Sequence, residues 1–311
     1  MRKLIVLVLI SAMLLSGCTD IGNATEIGSR AIIQAAAIDY DNGYRVSALL
    51  FSSTGSGGDT IDASQENVIK VTGEGQTLGE AIDNISLIDG KRIYMCETKL
   101  LIIGSGFELQ SIEGVLNNLY FDMRCSLNMP VCCADNAEML TDMQFTEGIT
   151  SAEKPLSIIE NAFEKGVSPK TTLLDLFCNI AARRSSLIPM FEYVKNGRGM
   201  TLGEDSGTVV LSGAREVDGG YLGRYYNSSQ TAALMLWRGL SDRITLNYEY
   251  NGNDRICEAY NIKVVSDNAD DDKRSVSVCA KFRSQNGGSI NYEERKAALH
   301  SLAKLLENGI S

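Results

Sequence analysis

The stretch "AIIQAAAIDYDNGYRVSALLF", residues 31–51, decides the fold of the N-terminal half of this chain. It consists of two apolar runs that meet at Asn42-Gly43. Asn and Gly both tolerate a positive φ, which the tightest hairpin turns require at their central residues. The stretch therefore predicts an antiparallel pair of strands.

Downstream of the hairpin, strands and helices alternate. Residues 68–90 read as strand, turn and helix, with Thr77 and Glu80 spaced as a capping box. The apolar positions of this helix are Leu78, Ala81, Ile82 and Ile85. We expect a strand over 91–104, a helix near 108–120, and a strand with one buried face over 123–131, followed by helical patterns from about 135 to 184.

A glycine-rich polar connector near 195–206 predicts the main domain boundary. Beyond it, the patterns indicate a hairpin, a helix that begins at Ser228 or Ser229, three strands and a final helix over about 292–307. The fold class predicted is α+β and multidomain, with mixed or antiparallel sheets and packed helices. We expect residues 18–200 to form one α+β region or two subdomains, and residues 201–311 to form a C-terminal α+β domain.

The N-terminus has the pattern of a secretory signal. Arg2 and Lys3 precede an apolar run of about a dozen residues, which is too short for the roughly 20 that a spanning helix needs. The run ends in Leu-Ser-Gly-Cys, which is typical of a bacterial lipobox. We therefore expect residues 1–17 to be a lipoprotein signal peptide and Cys18 to be the lipidated first residue of the mature chain.

The charge of the chain argues against nucleic acid as a partner. The formal net charge is −10, and removal of Arg2 and Lys3 with the signal makes it −12. Phosphate binding needs clustered Lys and Arg, and in this sequence they are scattered.

Residues 73–79, "GEGQTLG", are the strongest candidate for cofactor chemistry. They resemble a dinucleotide fingerprint, but the third glycine comes one position late, and Glu74 would place a carboxylate beside the phosphates. A tight turn with a capping box is the simpler interpretation. We expect no cofactor.

Other candidate chemistries lack essential residues. The sequence "GEDSG" at 203–207 has no histidine base to accompany it apart from His300, and one histidine also excludes histidine-based zinc sites. The acidic residues between 267 and 272 lack the pattern of an EF-hand loop. Seven cysteines follow Cys18 without regular spacing, and we expect most of them to be small core residues. These observations predict a protein that is not an enzyme and has no catalytic or metal site.

Several motifs follow one another along the chain in a characteristic order. They are Cys18-Thr19-Asp20, Glu26-Ile27, "AAAIDYDNGYRVSALLF", "GEGQTLGEAIDNIS", "KRIYMCETKLLIIG" and "SGTVVLSGAREVDGGYLGRYYNSSQTAALMLWRG". In this order they resemble the Ger(x)C family, the lipoprotein C subunits of spore germinant receptors. Two positions depart from the family pattern, which usually has an aromatic residue at Thr19 and a Gly-His or Ser-His pair at Cys96-Glu97. The resemblance also implies further elements beyond this C-terminus, so a truncated C-terminal domain is expected.

The resemblance implies a non-enzymatic, lipid-anchored subunit on the outer face of the spore inner membrane. Its partners would be two membrane-embedded proteins, the A and B subunits, with which it would act in nutrient-triggered germination. Two other functions stay open at this point. One is a solute-binding lipoprotein of a transporter, whose lobes are usually doubly wound and parallel. The other is an exported hydrolase that uses a pair of carboxylates.

Overall fold

The predicted hairpin opens the largest sheet of the computed structural model, which describes residues 30–51, 68–142, 153–195, 207–267, 275–285 and 288–309. Strands β1 (Arg30–Tyr40) and β2 (Tyr44–Phe51) pair antiparallel, and Tyr40 lies opposite Tyr44 at the turn. Asn42 adopts the positive φ of 54° that the sequence predicts for this position. Cys18 and the rest of the predicted signal peptide lie outside the described residues.

The remaining strands follow in chain order. They are β3 (Val68–Gly75), β4 (Arg92–Tyr94), β5 (Leu100–Gly104), β6 (Val131–Ala134), β7 (Ser186–Lys195), β8 (Gly207–Asp218), β9 (Tyr221–Asn227), β10 (Arg243–Tyr250), β11 (Asn253–Asp267) and β12 (Ser275–Ser284). The α-helices of the described residues are α1 (Leu78–Asp89), α2 (Glu113–Asn117), α3 (Ala137–Asp142), α4 (Glu153–Glu164), α5 (Leu173–Ala181), α6 (Ser228–Trp237) and α7 (Tyr292–Asn308). This content confirms the predicted α+β class.

The centre of the large sheet is parallel. Its strand order is β3-β2-β1-β5-β6-β7-β8-β9, with β4 beside the start of β1. Strands β1, β5, β6 and β7 run parallel, while β2, β3, β8 and β9 are joined antiparallel on the flanks. All five residues of β5 are buried, as expected for a parallel strand covered on both faces. The hairpin therefore lies within a mixed sheet, with β3 at the edge beyond it, which local sequence pattern did not reveal.

Helices cover both faces of this sheet. Helices α1, α2 and α5 pack on one face over a core that includes Ile38 and Ile103, and α3 and α4 pack on the other face over Leu100 and Ile102. The four apolar positions predicted for α1 are all buried. Thr77 accepts a hydrogen bond from the backbone N–H of Glu80 at 3.2 Å, as predicted. The Glu80 carboxylate bonds the N–H of Gln76, one residue before the N-cap.

The glycines of the candidate dinucleotide motif serve helix packing. Gly73 and Gly75 lie in β3 directly under α1, where a Cβ at Gly73 would be 2.1 Å from the carbonyl oxygen of Ala81. Gly79 has open space around it. The motif therefore allows α1 to pack closely on β3. The prediction of a turn is wrong for Gly73 and Gly75, because both are residues of β3.

Three local predictions between 91 and 131 need correction. Residues 91–104 form two short strands, β4 and β5, that pair with different parts of β1. The helix predicted near 108–120 is replaced by a 3-10 turn, the short helix α2 and a π-helical turn at Asn118–Asp122. The segment 123–130 is irregular, although its alternating Cys125 and Met129 are buried as a strand would bury them.

The predicted boundary at residue 200 does not separate the sheets. Strands β7 and β8, on either side of the connector, pair with each other from Ser186↔Val217 to Lys195↔Gly207. The second sheet is β10-β11-β12, entirely antiparallel, and its core includes residues of α6 and α7. The division between the two sheets therefore falls at α6, which begins after the N-cap Asn227. A polar, glycine-rich connector suits a link between paired strands as well as one between domains, so composition alone could not tell them apart.

Candidate functional site

A cleft of about 980 Å³ lies at the carboxyl ends of the parallel strands. Its walls come from the end of β1 and the turn that follows, from Ser105 and Gly106 after β5, and from Asp135 and Asn136 after β6. The end of β3 and α1 contribute Glu74 and Glu80. In open α/β sheets this edge is the usual location of a ligand site, because loops and helix starts converge there. We therefore take this cleft as the candidate functional site.

Asp39 ties the end of β1 to the start of α3. Its Oδ1 accepts the backbone N–H of Ala137 and its Oδ2 accepts that of Glu138, each at 3.0 Å. These two N–H groups have no partner inside the helix, so the carboxylate acts as a helix cap supplied from a distant strand. Burial raises the pKa of Asp39, and the two backbone hydrogen bonds oppose that rise.

Gly104 makes room for this carboxylate. A Cβ at Gly104 would lie 1.9 Å from Oδ1 of Asp39, so no larger residue fits without displacing it. The next glycine, Gly106, is similarly close to the backbone of Tyr40. Glycine at the last position of β5 and again at Gly106 therefore lets the end of β1 approach this turn closely.

Glu138 is the centre of an ion-pair cluster beside Asp39. Its Oε1 accepts from Nζ of Lys70 at 2.8 Å, and its Oε2 lies 3.4 Å from Nη1 of Arg45. Arg45 also pairs with Glu74 at 2.7 Å. The hydrogen bond from Lys70 is the main cause that lowers the pKa of Glu138. These four side chains cross-link two strands, β2 and β3, and the helix α3.

An aromatic cluster supports the hairpin turn next to the cleft. Tyr40 and Tyr44 meet edge to face with ring centroids 5.1 Å apart, and Phe107 lies 6.0 Å from Tyr40 and is fully buried. Edge-to-face aromatic pairs of this kind add roughly 1 kcal/mol beyond their burial. The turn at Asn42 is thus held against the 3-10 turn that follows β5.

Asp39 and Glu138 form a pair of carboxyls whose pKa values shift in opposite directions, which is one sign of acid–base chemistry. Their geometry favours a structural role. Both oxygens of Asp39 accept backbone N–H groups, and both oxygens of Glu138 face cationic side chains. Gln76 and Gln110 are the lining side chains left to meet a ligand, and their amides suit hydrogen bonding to a polar molecule, whereas Asn136 accepts the N–H of Met139 and Asp41 accepts from Asn42.

Of the sequence-predicted candidates, Glu74, Gly75 and Gln76 of the glycine motif line this cleft, and the others lie apart from it or outside the described residues. Cys18 and the 268–272 acids are outside them, and of "GEDSG" only Gly207 is described. His300 is exposed on α7. Within the described ranges no cluster of three or more His, Cys, Asp or Glu side chains is arranged to hold a metal ion, and no helix is both long and apolar enough to cross a membrane.

All seven later cysteines are free thiols, and four of them, at positions 125, 132, 133 and 257, are buried as predicted. The residues that sequence reasoning missed are Lys70, Arg45 and Glu138, which belong to different elements. The available signal was Asp39, a carboxylate at the end of an otherwise apolar run.

Comparison with known proteins gives two matches. A family model described as "Spore germination protein N-terminal domain" matches residues 23–193, more than half of the chain. The crystal structure of the GerBC protein is similar at 14% sequence identity and a TM-score of 0.48, covering 88% of this chain and 80% of that one. No curated protein matches the sequence.

Proposed function

This chain belongs to the family of spore germination proteins whose N-terminal domain it carries, and we propose that it acts as the non-enzymatic C subunit of a spore germinant receptor. In this role it works with the membrane-embedded A and B subunits to trigger germination in response to nutrients. The observation that carries the proposal is the position of the matched domain. It begins at residue 23, five residues after the lipobox cysteine.

The anchor is the second part of the proposal. Lipidated Cys18 holds the chain on the outer face of the spore inner membrane. Each buried methylene contributes about 0.8 kcal/mol, so the two or three acyl chains of a bacterial lipoprotein are enough for a lasting attachment. Cys18 is the one residue to which this proposal assigns a covalent modification.

A gene deletion tests the function, and a cysteine substitution tests the anchor. Deletion is expected to abolish or strongly slow nutrient-triggered germination while spore yield and heat resistance stay normal. Unchanged germination with every nutrient tested would contradict the receptor role. Cys18→Ala is expected to release the protein from the spore membrane fraction, whereas Cys178→Ala, which changes an exposed thiol on α5, is expected to leave it there.

A solute-binding lipoprotein is the second candidate, because one observation favours it. The four parallel strands at the centre of the sheet and the polar cleft at their carboxyl ends match the usual place where such proteins bind small solutes. Calorimetric titration of the mature chain with amino acids, sugars and nucleosides separates the two. A ligand with submicromolar affinity that is lost in Gln76→Ala but kept in the distant Asn253→Ala favours transport, whereas no such ligand favours a receptor subunit.

A further inference from the structure

A second cleft, of about 650 Å³, lies at the opposite end of β1 from the polar cleft. Residues of α1, β4 and the 122–124 segment line it, together with Arg30, the first residue of β1. Eleven residues of strand at about 3.3 Å each place the two ends of β1 roughly 33 Å apart. The molecule therefore has two distinct ends along its central sheet.

Three arginines converge on this second cleft. Arg30 and Arg92 lie opposite each other in the parallel β1–β4 pair, and Arg124 lies on the facing wall. Among the described residues none of the three forms an ion pair, and Arg30 stacks on the Tyr94 ring at 5.2 Å. The acids of the cleft are Asp83 and Asp122, and Asp122 accepts a hydrogen bond from Asn118. A net positive site is unusual on a chain whose overall charge is −10.

Large apolar side chains stand exposed beside these arginines. Leu87 and Ile88 belong to the last turn of α1, whose Ser86 lines the cleft, and they are 80% and 66% exposed. On the other wall, Phe121 precedes Asp122 and is 70% exposed. Water-exposed apolar residues that flank basic ones are the combination that inserts into a lipid interface, where the apolar groups enter the acyl boundary and the cations meet headgroup phosphates.

We propose that this end of the sheet rests on an anionic phospholipid bilayer. The docking surface, called here the basic end, consists of Arg30, Leu87, Ile88, Arg92, Phe121 and Arg124. The inference rests on the proposed function in one respect, the tether at Cys18. Arg30 lies twelve positions after Cys18, so the tether spans at most about 40 Å and enters the fold at the basic end.

The orientation has a consequence for the polar cleft. With the basic end on the lipid, the carboxyl ends of β1, β5 and β6 lie up to about 33 Å from the bilayer surface. The cleft around Asp39 and Glu138 then opens away from the membrane. It stays accessible to soluble molecules and to the extracytoplasmic parts of other proteins.

The test uses an artificial tether, so that it does not depend on lipidation. The mature chain carrying Cys18→Ser and an N-terminal hexahistidine tag is held on vesicles of phosphatidylcholine, 30% phosphatidylglycerol and a nickel-chelating lipid. Hydroxyl-radical footprinting then compares side-chain labelling on the vesicles and in solution. Labelling of Leu87, Ile88 and Phe121 is expected to fall at least threefold, whereas labelling of Leu109, 92% exposed at the polar cleft, stays the same.

Equal labelling of both ends on the vesicles, or protection of Leu109 alone, would overturn the proposal. A charge-reversed variant, Arg30→Glu with Arg92→Glu and Arg124→Glu, is expected to lose the protection, since each basic residue near an anionic surface contributes about fivefold in partitioning. The control carries the same charge change on the second sheet, as Arg255→Glu with Lys263→Glu and Lys281→Glu, and is expected to keep it. The two proposals can fail separately. If Cys18→Ala stays in the spore membrane fraction while Leu87, Ile88 and Phe121 are still protected on the vesicles, only the proposed lipidation of Cys18 is refuted.

Discussion

Asp39 accepts the backbone N–H of Glu138 at 3.0 Å, although 99 residues separate the two in sequence. This hydrogen bond joins the end of the first strand to the first turn of α3 and places two carboxylates side by side in the polar cleft. One of them is held by backbone N–H groups and the other by Lys70 and Arg45. The cleft is therefore formed by segments that are far apart in sequence, and its stability depends on a few contacts between them.

We expect the helix cap formed by Asp39 to contribute about 1–2 kcal/mol to the free energy of unfolding. Asp39→Ala removes the acceptor for two N–H groups at the start of α3, and loss of a helix cap typically costs this much. Urea unfolding measures the change. Asp41→Ala, two residues later, removes only a contact with Asn42 and is expected to change the free energy of unfolding by less than about 0.5 kcal/mol. Equal effects of the two substitutions would rule out the cap.

Glu138 is expected to make stability depend on pH on the acid side. Its pKa is lowered in the folded state, so its contribution is present above the unfolded value of 4.5 and is lost as the pH falls through the folded pKa. Glu138→Gln should lower the free energy of unfolding at pH 7 by about 1 kcal/mol and flatten its decline between about pH 5 and 3.

Asp39 has the opposite effect on the pH dependence of stability. Its pKa is raised in the folded state, so its ionisation above 3.8 is unfavourable to the folded state.

The control for Glu138→Gln is Glu249→Gln on the exposed side of β10. Urea unfolding at several pH values follows both variants. Identical pH profiles for wild type and Glu138→Gln would contradict the role of the Lys70 and Arg45 contacts.

Gly104 is expected to tolerate no side chain. Gly104→Ala places a Cβ 1.9 Å from Oδ1 of Asp39, and such overpacking costs about 1–3 kcal/mol. Gly114→Ala in α2 meets nothing within 4 Å and should stabilise the protein by about 0.5–1 kcal/mol through helix propensity. Thermal melting compares the stability of the two variants. An unchanged melting temperature for Gly104→Ala would show that the Asp39 carboxylate can move away from the added Cβ at no cost.

Gly73 tests the interpretation of the glycine motif. Gly73→Ala would bring a Cβ within 2.1 Å of the Ala81 carbonyl oxygen and push α1 away from β3, at a cost of about 1–3 kcal/mol. Gly79→Ala has open space and is expected to be neutral or mildly stabilising. A titration with NAD and ATP accompanies the unfolding experiments, and measurable binding that Gly73→Ala removes would restore the dinucleotide hypothesis.

We expect the reactivity of each cysteine to depend on its burial. Burial raises the pKa of Cys125 to about 12 and that of Cys257 to about 11, so neither forms much thiolate at neutral pH. Iodoacetamide at pH 7.5 followed by peptide mass spectrometry should modify the exposed Cys178 and Cys279 first. Denaturation in urea should make all of them react. Fast native labelling of Cys125 would show that the irregular 123–130 segment opens readily.

Local pattern predicted the elements whose determinants lie within a few residues of one another. The hairpin at Asn42-Gly43, the apolar stripe of α1 and the strands of the second sheet are all present as expected. The segment at 123–130 shows where this reasoning failed. Its side chains alternate between buried and partly exposed, but its backbone bonds to Leu119, to the start of α5 and within the segment at Ser126, and it meets a strand only at Pro130, whose carbonyl accepts the N–H of Leu101 in β5. A half-buried strand buries every second side chain, but a segment that buries every second side chain is not always a strand.

The candidate site was the least predictable part. Asp39, Lys70 and Glu138 come from two strands and a helix, and only the order of the strands in the sheet brings them together. Parallel pairing of β1 with β5 connects residues about 65 positions apart, and no turn motif signals such a contact.

The sequence by itself therefore determined the α+β class, the family and the lipobox that predicts an anchor, because each depends on local pattern or on short motifs in order. The tertiary structure alone decided the parallel centre of the sheet, the continuation of that sheet across residue 200, and the two unlike ends of β1. The physical reason is that long-range pairing is chosen by the burial of both sheet faces and by backbone hydrogen bonds between distant segments. These quantities exist only once the chain is folded.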